Sequence, residues 1–266
     1  MSTNRIRACW DASRPALGSF VFSHDPANTE IVASSGFDFV VVDTEHTTLT
    51  AAEVEHHARA GGARGCTTLV RVPPEKIAGA GRLLDAGVQG IMMSHYGVDE
   101  RASATLSSIV RYAPAGNRPA CSGVRSTAYS TRPFAECVAA DNADLLSIGI
   151  VEDLEAVANL EHVLAAAPVD AVMPGPGDLS TALGLPGQPT HPRVRDVVRD
   201  IVRGARNAGG RVGMYLNSPV ELAEWTDERF DFFVYVFDYK LLAQTYRAAN
   251  AELRTRMAPG APTRMV

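Results

Sequence analysis

Short runs of apolar residues recur along the chain, and longer stretches with apolar residues at helical spacing separate them. Many of the short runs are almost continuous series of valine, isoleucine, leucine and phenylalanine, which is typical of parallel strands buried on both faces. Eight strands are predicted, at residues 17–22, 37–43, 67–72, 90–94, 145–151, 169–174, 211–216 and 230–236.

The clearest helical stretch covers residues 192–207, where apolar side chains from Val194 to Ala205 form one stripe and arginines occupy the other faces. Pro192 suits the first helical turn, and Gly209 with Gly210 ends the helix. Further helices are predicted before the first strand and at residues 27–35, 51–60, 75–86, 99–112, 154–165, 219–226 and 239–257.

Eight strands, each followed by a helix, predict an α/β fold closed into a (β/α)₈ TIM barrel, a single domain over residues 1–257. A doubly wound open sheet would need a glycine-rich fingerprint after its first strand, and none follows that strand. Residues 114–134, here called the flap, are predicted to form a long ordered loop before the fifth strand. Residues 258–266 are rich in proline and glycine and are predicted to be a flexible tail.

Composition and charge exclude several classes of partner. With 25 basic and 30 acidic residues the net charge is −5, which provides no basic footprint for nucleic acid or an anionic membrane. No apolar run approaches the roughly 18 residues that span a bilayer, and the polar N-terminal segment lacks the apolar core of a signal peptide. Four cysteines without metal-ligand spacing indicate a reducing cytoplasm.

In a parallel barrel, catalytic groups come from the carboxyl ends of the strands. The polar residues at these positions are Asp43, Thr44, Glu45, His46, Arg71, Ser94, His95, Glu152, Asp153 and Asp178. Glu152 and Asp178 could share a hard cation, and their oxygen ligands suit Mg²⁺ or Mn²⁺ better than zinc. The Arg71 fork matches a carboxylate or an enolate, and His46 titrates in a useful range.

Each of these residues also has an ordinary structural role open to it. Asp178 could cap a helix, Glu152 and Arg71 could each form a structural ion pair, and Asp43 could close a turn. His95 has no partner apparent in the sequence, and His56 with His57 is expected to be solvated. Only the convergence of the set on one rim favours a site.

A series of motifs resembles the class II, metal-dependent pyruvate aldolases of the HpcH/HpaI type, such as 4-hydroxy-2-oxoheptanedioate aldolase and 2-dehydro-3-deoxyglucarate aldolase. The resemblance covers nearly the whole chain in order. Its motifs are residues 36–46, 70–73, 83–87, 111–116, 151–153, 175–180 and 191–192.

The resemblance implies roles for the residues at matching positions. Glu152 and Asp178 would hold Mg²⁺, Mn²⁺ or Co²⁺, and the backbone amides of Gly177 and Asp178 would hold the carboxylate of pyruvate. Arg71 would contact its keto or enolate oxygen. His46 and Asp85 would form a dyad for proton transfer, and Asp43 would orient the site. The substrates would be a 2-oxo acid and an aldehyde, and the assembly a homo-oligomer, a hexamer or trimer of dimers.

The chain departs from the family pattern at residues 94–96, at Arg118-Pro119 and at residues 235–238, where a smaller residue is replaced by bulk. These positions are expected near or above the pocket. They leave the metal chemistry intact and the acceptor aldehyde open.

Three alternatives remain. A Schiff-base aldolase would need an inward-pointing lysine, and the chain has only Lys76 and Lys240, both outside predicted strands. An acyl-CoA thioester lyase of the citrate lyase β-subunit or malyl-CoA lyase type would need basic residues for the CoA phosphates, and Arg118, Arg125 and Arg132 of the flap are candidates. A non-catalytic barrel that only binds a 2-oxo acid would need neither the His46–Asp85 pair nor an open metal position.

Overall fold

A computed structural model describes residues 4–225 and 227–257. The strands close in chain order into one barrel, every neighbouring pair is parallel, and β8 returns to β1. This confirms the predicted (β/α)₈ barrel. Its strands are β1 (Ala16–Val21), β2 (Phe39–Asp43), β3 (Thr67–Val72), β4 (Gly90–Met93), β5 (Leu146–Val151), β6 (Ala171–Pro174), β7 (Arg211–Leu216) and β8 (Phe232–Phe237).

The helices cover the outside of this barrel and one of its ends. They are α1 (Arg5–Asp11), α2 (Ala27–Ser34), α3 (Ala51–Ala63), α4 (Gly81–Asp85), α5 (Glu100–Ile109), α6 (Phe134–Asp144), α7 (Leu154–Ala158), α8 (Leu160–Ala166), α9 (Pro176–Ala182), α10 (Pro192–Asn207) and α11 (Asp238–Met257). Short 3₁₀ segments lie at Pro74–Gly79, Ala128–Ser130 and Pro219–Trp225. Among residues 4–225 and 227–257, no helix is long and apolar enough to cross a bilayer.

Two helices were not predicted. α6 has no apolar stripe, since only Cys137 and Asp141 are buried on it. α9 begins within Gly175-Pro176-Gly177, which is typical of a turn. The predicted tail at residues 258–266 lies outside the described residues.

The first helix closes the N-terminal end of the barrel. Ile6, Cys9 and Trp10 of α1 are buried and belong to the same cluster as Phe39 and Phe232 of the barrel interior. The Trp10 indole donates to the carbonyl of Asp231 just before β8, and the Asn4 amide donates to that of Gln89 just before β4. The opposite end, where the strands terminate, is left for a pocket.

One predicted surface residue is buried. His57 of α3 is fully buried, and its Nδ1 lies 2.8 Å from the Thr29 hydroxyl, whereas His56 is exposed. The prediction that both histidines are solvated was wrong for His57, because it shares the inward face of α3 with Val54, Ala58 and Gly61.

The flap is ordered, and it lies at the N-terminal end of the barrel. It follows α5 and leads through α6 to the start of β5. Within it, Arg118 forms ion pairs with Asp85 and Asp141 at 2.9 Å each, and Arg125 donates to the carbonyls of Ala86 and Gly87 just before β4. The expectation that residues 118–119 lie near the pocket is therefore wrong within this chain.

Candidate active site

A cavity of about 360 Å³ opens at the carboxyl ends of the strands. Its polar lining consists of His46, Arg71, Glu152 and Asp178, and Gly177 lies beside them. The apolar lining comes from residues on several strands, chiefly Phe20, Phe22, Ile150, Met173, Tyr215 and Phe237. The structure thus brings together most of the predicted site residues on one rim.

Asp43 holds the Arg71 guanidinium and also closes the turn that follows β2. It is fully buried at the end of β2 and forms an ion pair with the Arg71 guanidinium. Its Oδ1 accepts the backbone N–H groups of Glu45 at 3.1 Å and His46 at 2.6 Å. Arg71 also lies over the Phe20 ring, 4.7 Å from the centroid. Asp43 therefore closes a turn, as the structural alternative proposed, and also holds Arg71 and His46 at the cavity.

Glu152, directly after β5, is only 5% exposed. Burial raises the pKa of its carboxyl to about 7, and the negative charge of Asp178 acts in the same direction. The backbone N–H of His95, which donates to Glu152 Oε1 at 2.9 Å, opposes this shift. Position 175 must be glycine here, because a Cβ would lie 2.6 Å from Glu152 Oε2.

Asp178 lies in the first turn of α9 and is exposed to the cavity. Among the described residues its carboxylate has no hydrogen-bond or ion-pair partner, and Gly175 is the N-cap residue of α9. Glu152 likewise pairs with no arginine of the described chain. The structural roles open to these two residues in the sequence are thus not realised.

The two carboxylates fit a divalent cation. They face one cavity, repel each other, and offer oxygen ligands of the kind that Mg²⁺ and Mn²⁺ prefer. In residues 4–225 and 227–257, no group of three or more His, Cys, Asp or Glu side chains could hold a metal ion. A closed zinc site of that kind is therefore not formed by the described chain, and two protein ligands would leave coordination positions for substrate.

Sequence reasoning missed a cluster around His95. The ring Nδ1 lies 2.9 Å from Asp153 Oδ2, and Nε2 lies 3.7 Å from Glu45 Oε1. Burial lowers the pKa of His95, but its hydrogen bond to Asp153 and the nearby carboxylates outweigh burial and raise it. Glu45 also lies 3.4 Å from Arg71 Nε and 3.6 Å from His46 Nε2. Glu45 therefore links the two histidines with the arginine.

Asp85 does not reach the cavity within this chain. It ends α4, which leads into the start of β4, so it lies at the opposite end of the barrel from His46. Its carboxylate pairs with Arg118, and no hydrogen bond or ion pair of the described residues joins it to His46. The expected His46–Asp85 pair is therefore not formed within one chain.

The cations needed by two alternative chemistries are engaged elsewhere. Lys76 donates to the carbonyl of Thr44 and Lys240 to the amide of Asn217, and neither lines the cavity. This disfavours a Schiff-base aldolase. Of the flap arginines, Arg118 is buried between carboxylates and Arg125 donates to backbone carbonyls, so neither is free to bind CoA phosphates. Arg132 is 44% exposed, 3.8 Å from Glu136.

Comparisons with known proteins agree with this geometry. A model of the HpcH/HpaI aldolase/citrate lyase family matches residues 16–244. A hydroxypyruvate/pyruvate aldolase of Pseudomonas aeruginosa is 31% identical over 264 residues, covering 98% of this chain and 96% of that protein. A 2-dehydro-3,6-dideoxy-6-sulfogluconate aldolase of Pseudomonas putida is 28% identical, covering 92% and 95%. The crystal structure of an HpcH/HpaI aldolase from Desulfitobacterium hafniense matches with a TM-score of 0.86 at 28% identity, covering 96% and 98%. The chain belongs to the HpcH/HpaI aldolase/citrate lyase family.

Proposed function

We propose that the protein is a metal-dependent class II aldolase, which joins or releases an aldehyde and a 2-oxo acid such as pyruvate through an enolate. The observation that carries this proposal is the pair Glu152 and Asp178, which face one cavity without an arginine or lysine partner in the described chain and stand beside Arg71. The relatives named as pyruvate aldolases support a 2-oxo acid as the substrate class.

The donor would bind on the side of the cavity that Glu152 and Asp178 form. Its carboxylate would accept the backbone N–H groups of Gly177 and Asp178, where no side chain of residue 177 intrudes. Glu152 and Asp178 would hold Mg²⁺, Mn²⁺ or Co²⁺, which supplies Lewis acidity for the developing enolate when bound. Arg71, oriented by Asp43, would donate to the oxygen on which negative charge develops.

In the cleavage direction a base takes the proton of the 4-hydroxyl group. The C3–C4 bond then breaks, its electron pair passes into the enolate of the 2-oxo acid, and the former 4-carbon leaves as an aldehyde. Protonation at C3 completes pyruvate. His46 is the histidine that lines the cavity, and Asp43 holds its backbone, so we assign the proton transfer to His46.

The first test is deuterium exchange into the methyl group of pyruvate, followed by NMR with Mn²⁺ or EDTA. Exchange should require metal and fall about 10²–10³-fold in Glu152→Gln and Asp178→Asn, because each variant loses an interaction with developing charge. Glu155→Gln is the matched control, since Glu155 is exposed three residues further along. Exchange that survives EDTA, or no exchange from folded protein, would contradict the proposal; the second result would favour a binding-only barrel.

We further propose that the protein works as a homo-oligomer, a hexamer or trimer of dimers, in the cytoplasm. α11 has 20 residues, and only Asp238 is buried on it in the described chain. Its large exposed apolar side chains are Tyr239, Leu242, Tyr246, Leu253 and Met257. Their spacing places them on one face, which a second copy would cover. A catalytic role for Asp85 beside His46 would likewise require Asp85 from another copy.

A further inference from the structure

Aromatic rings line the side of the cavity that β1 and β8 form. Phe22 follows β1 and Phe237 ends the neighbouring β8; their rings are stacked, with centroids 4.7 Å apart and planes inclined by 14°. Tyr239 meets Phe22 edge-on at 6.4 Å. Phe22 and Phe237 both line the cavity, so part of each ring is open to a ligand.

A distortion of β8 aims Phe237 into the cavity. Gly18 pairs with Val234 and Phe20 with Phe237, so two steps along β1 match three along β8. This is a bulge, and it contains Val236 at φ +31°, a conformation that a β-branched residue rarely adopts. Phe232 and Val234 point into the barrel interior, and strict alternation would place Val236 there next. Because of the bulge, Phe237 takes the inward place instead.

The described lining of the cavity offers little positive charge to an anionic aldehyde. Its charged or titratable lining groups, apart from Tyr215, are His46, Arg71, Glu152 and Asp178, and Arg71 is already paired with Asp43. Burial raises the pKa of Tyr215 to about 12, so that this ring stays neutral. Apart from His46, which the proposed mechanism uses for proton transfer, the described lining offers no second cation for a carboxylate or phosphate on the acceptor. An apolar group would be buried against the rings.

We propose that Phe22 and Phe237 form the acceptor subsite and select uncharged aldehydes that carry an aromatic or bulky apolar group. This inference rests on the proposed aldolase function. In the addition, C3 of the enolate attacks the aldehyde carbon and a C–C bond forms. The carbonyl π electrons move to the aldehyde oxygen, which takes a proton, and the apolar group lies against the two rings.

The test compares two aldehydes of similar size, 4-methylbenzaldehyde and 4-carboxybenzaldehyde, with pyruvate and Mn²⁺. The wild type should prefer the neutral aldehyde at least about tenfold in kcat/KM, because the carboxylate would be desolvated without a partner. Phe22→Leu and Phe237→Leu should each lower kcat/KM for the neutral aldehyde about three- to tenfold through loss of ring contact. Phe237→Arg should shift the preference towards the anionic aldehyde.

Phe134→Leu is the control, since Phe134 packs edge-on against Tyr112 and does not line the cavity. Thermal unfolding checks that each variant is folded. Exchange of the pyruvate methyl protons needs no aldehyde and is measured alongside. Normal exchange with equal use of the two aldehydes, or with both Leu variants unchanged, overturns the subsite and leaves the aldolase proposal standing. Loss of exchange in the wild type overturns both.

Discussion

The two adjacent histidines of α3 differ in ways that solution measurements can detect. His57 is buried, its Nε2 has no partner among the described residues, and burial lowers its pKa. His56 on the same helix is exposed. The helical spacing of Val54, His57, Ala58 and Gly61 places His57 on the inward face of α3. This spacing would have predicted its burial, whereas the residue type alone suggested a solvated side chain.

This burial predicts a pH dependence of stability. In the unfolded chain His57 binds a proton near its ordinary pKa of 6.5, whereas in the folded chain it does so only at lower pH. Below 6.5 the unfolded state therefore binds more protons, and the free energy of unfolding falls as the pH falls. His57→Met should flatten this slope between pH 5 and 7 in urea titrations. His56→Met should keep the wild-type slope, and equal slopes for all three proteins would contradict the assignment.

The polar residues at strand ends could be predicted because barrel geometry gathers them on one rim. Asp43, His46, Arg71, Glu152 and Asp178 all lie there. The contacts of His95 with Asp153 and Glu45 could not be predicted from the sequence, because they join loops after three different strands and depend on how each loop turns. Asp85 was assigned by resemblance alone, and within one chain its position is set by the helix that carries it.

At the scale of elements, the flap depends on one buried arginine. Arg118 lies between Asp85 and Asp141 and stacks on Tyr112 at 4.6 Å. Burial raises the pKa of Asp141, and the guanidinium opposes this. Arg118→Ala would leave the buried carboxyl of Asp141 without its partner and should lower the free energy of unfolding by about 3–5 kcal/mol.

Urea unfolding measures this loss, and Arg132→Ala is the control. Arg132 belongs to the same flap but is 44% exposed, and its ion pair with Glu136 spans 3.8 Å, so its removal should cost no more than about 1 kcal/mol. Similar losses for both variants would show that the buried pair does not anchor the flap.

Strands were predicted more accurately than helices. Each predicted strand bound lies within two residues of the observed one, as at position 37 against Phe39 in β2, because a strand buried on both faces is an uninterrupted apolar run. Helices α6 and α9 lack such a signal. The position of the flap could not be predicted from its composition, since it is fixed by which end of the barrel α5 leads to.

At the scale of the whole molecule, the exposed apolar face of α11 leads us to predict a homo-oligomer. Tyr246 and Leu253 are 72% and 59% exposed on its apolar face. The double variant Tyr246→Glu with Leu253→Glu should form a smaller species in light scattering after gel filtration, because charge on both sides of a two-fold interface repels. Gln244→Glu, on another face of α11, should assemble as the wild type does. A wild type that is itself monomeric, or an unchanged mass for the double variant, would contradict the proposal.

Helix α1, which closes the N-terminal end of the barrel, also determines from which end the reactants reach the cavity. With α1 packed across the strand starts, the cavity opens at the carboxyl ends of the strands, and we expect both reactants to enter and leave there. Glu152 follows β5, whereas Phe22 and Phe237 belong to the β1 and β8 side, so the 2-oxo acid and the aldehyde would meet at this opening from opposite sides of the barrel.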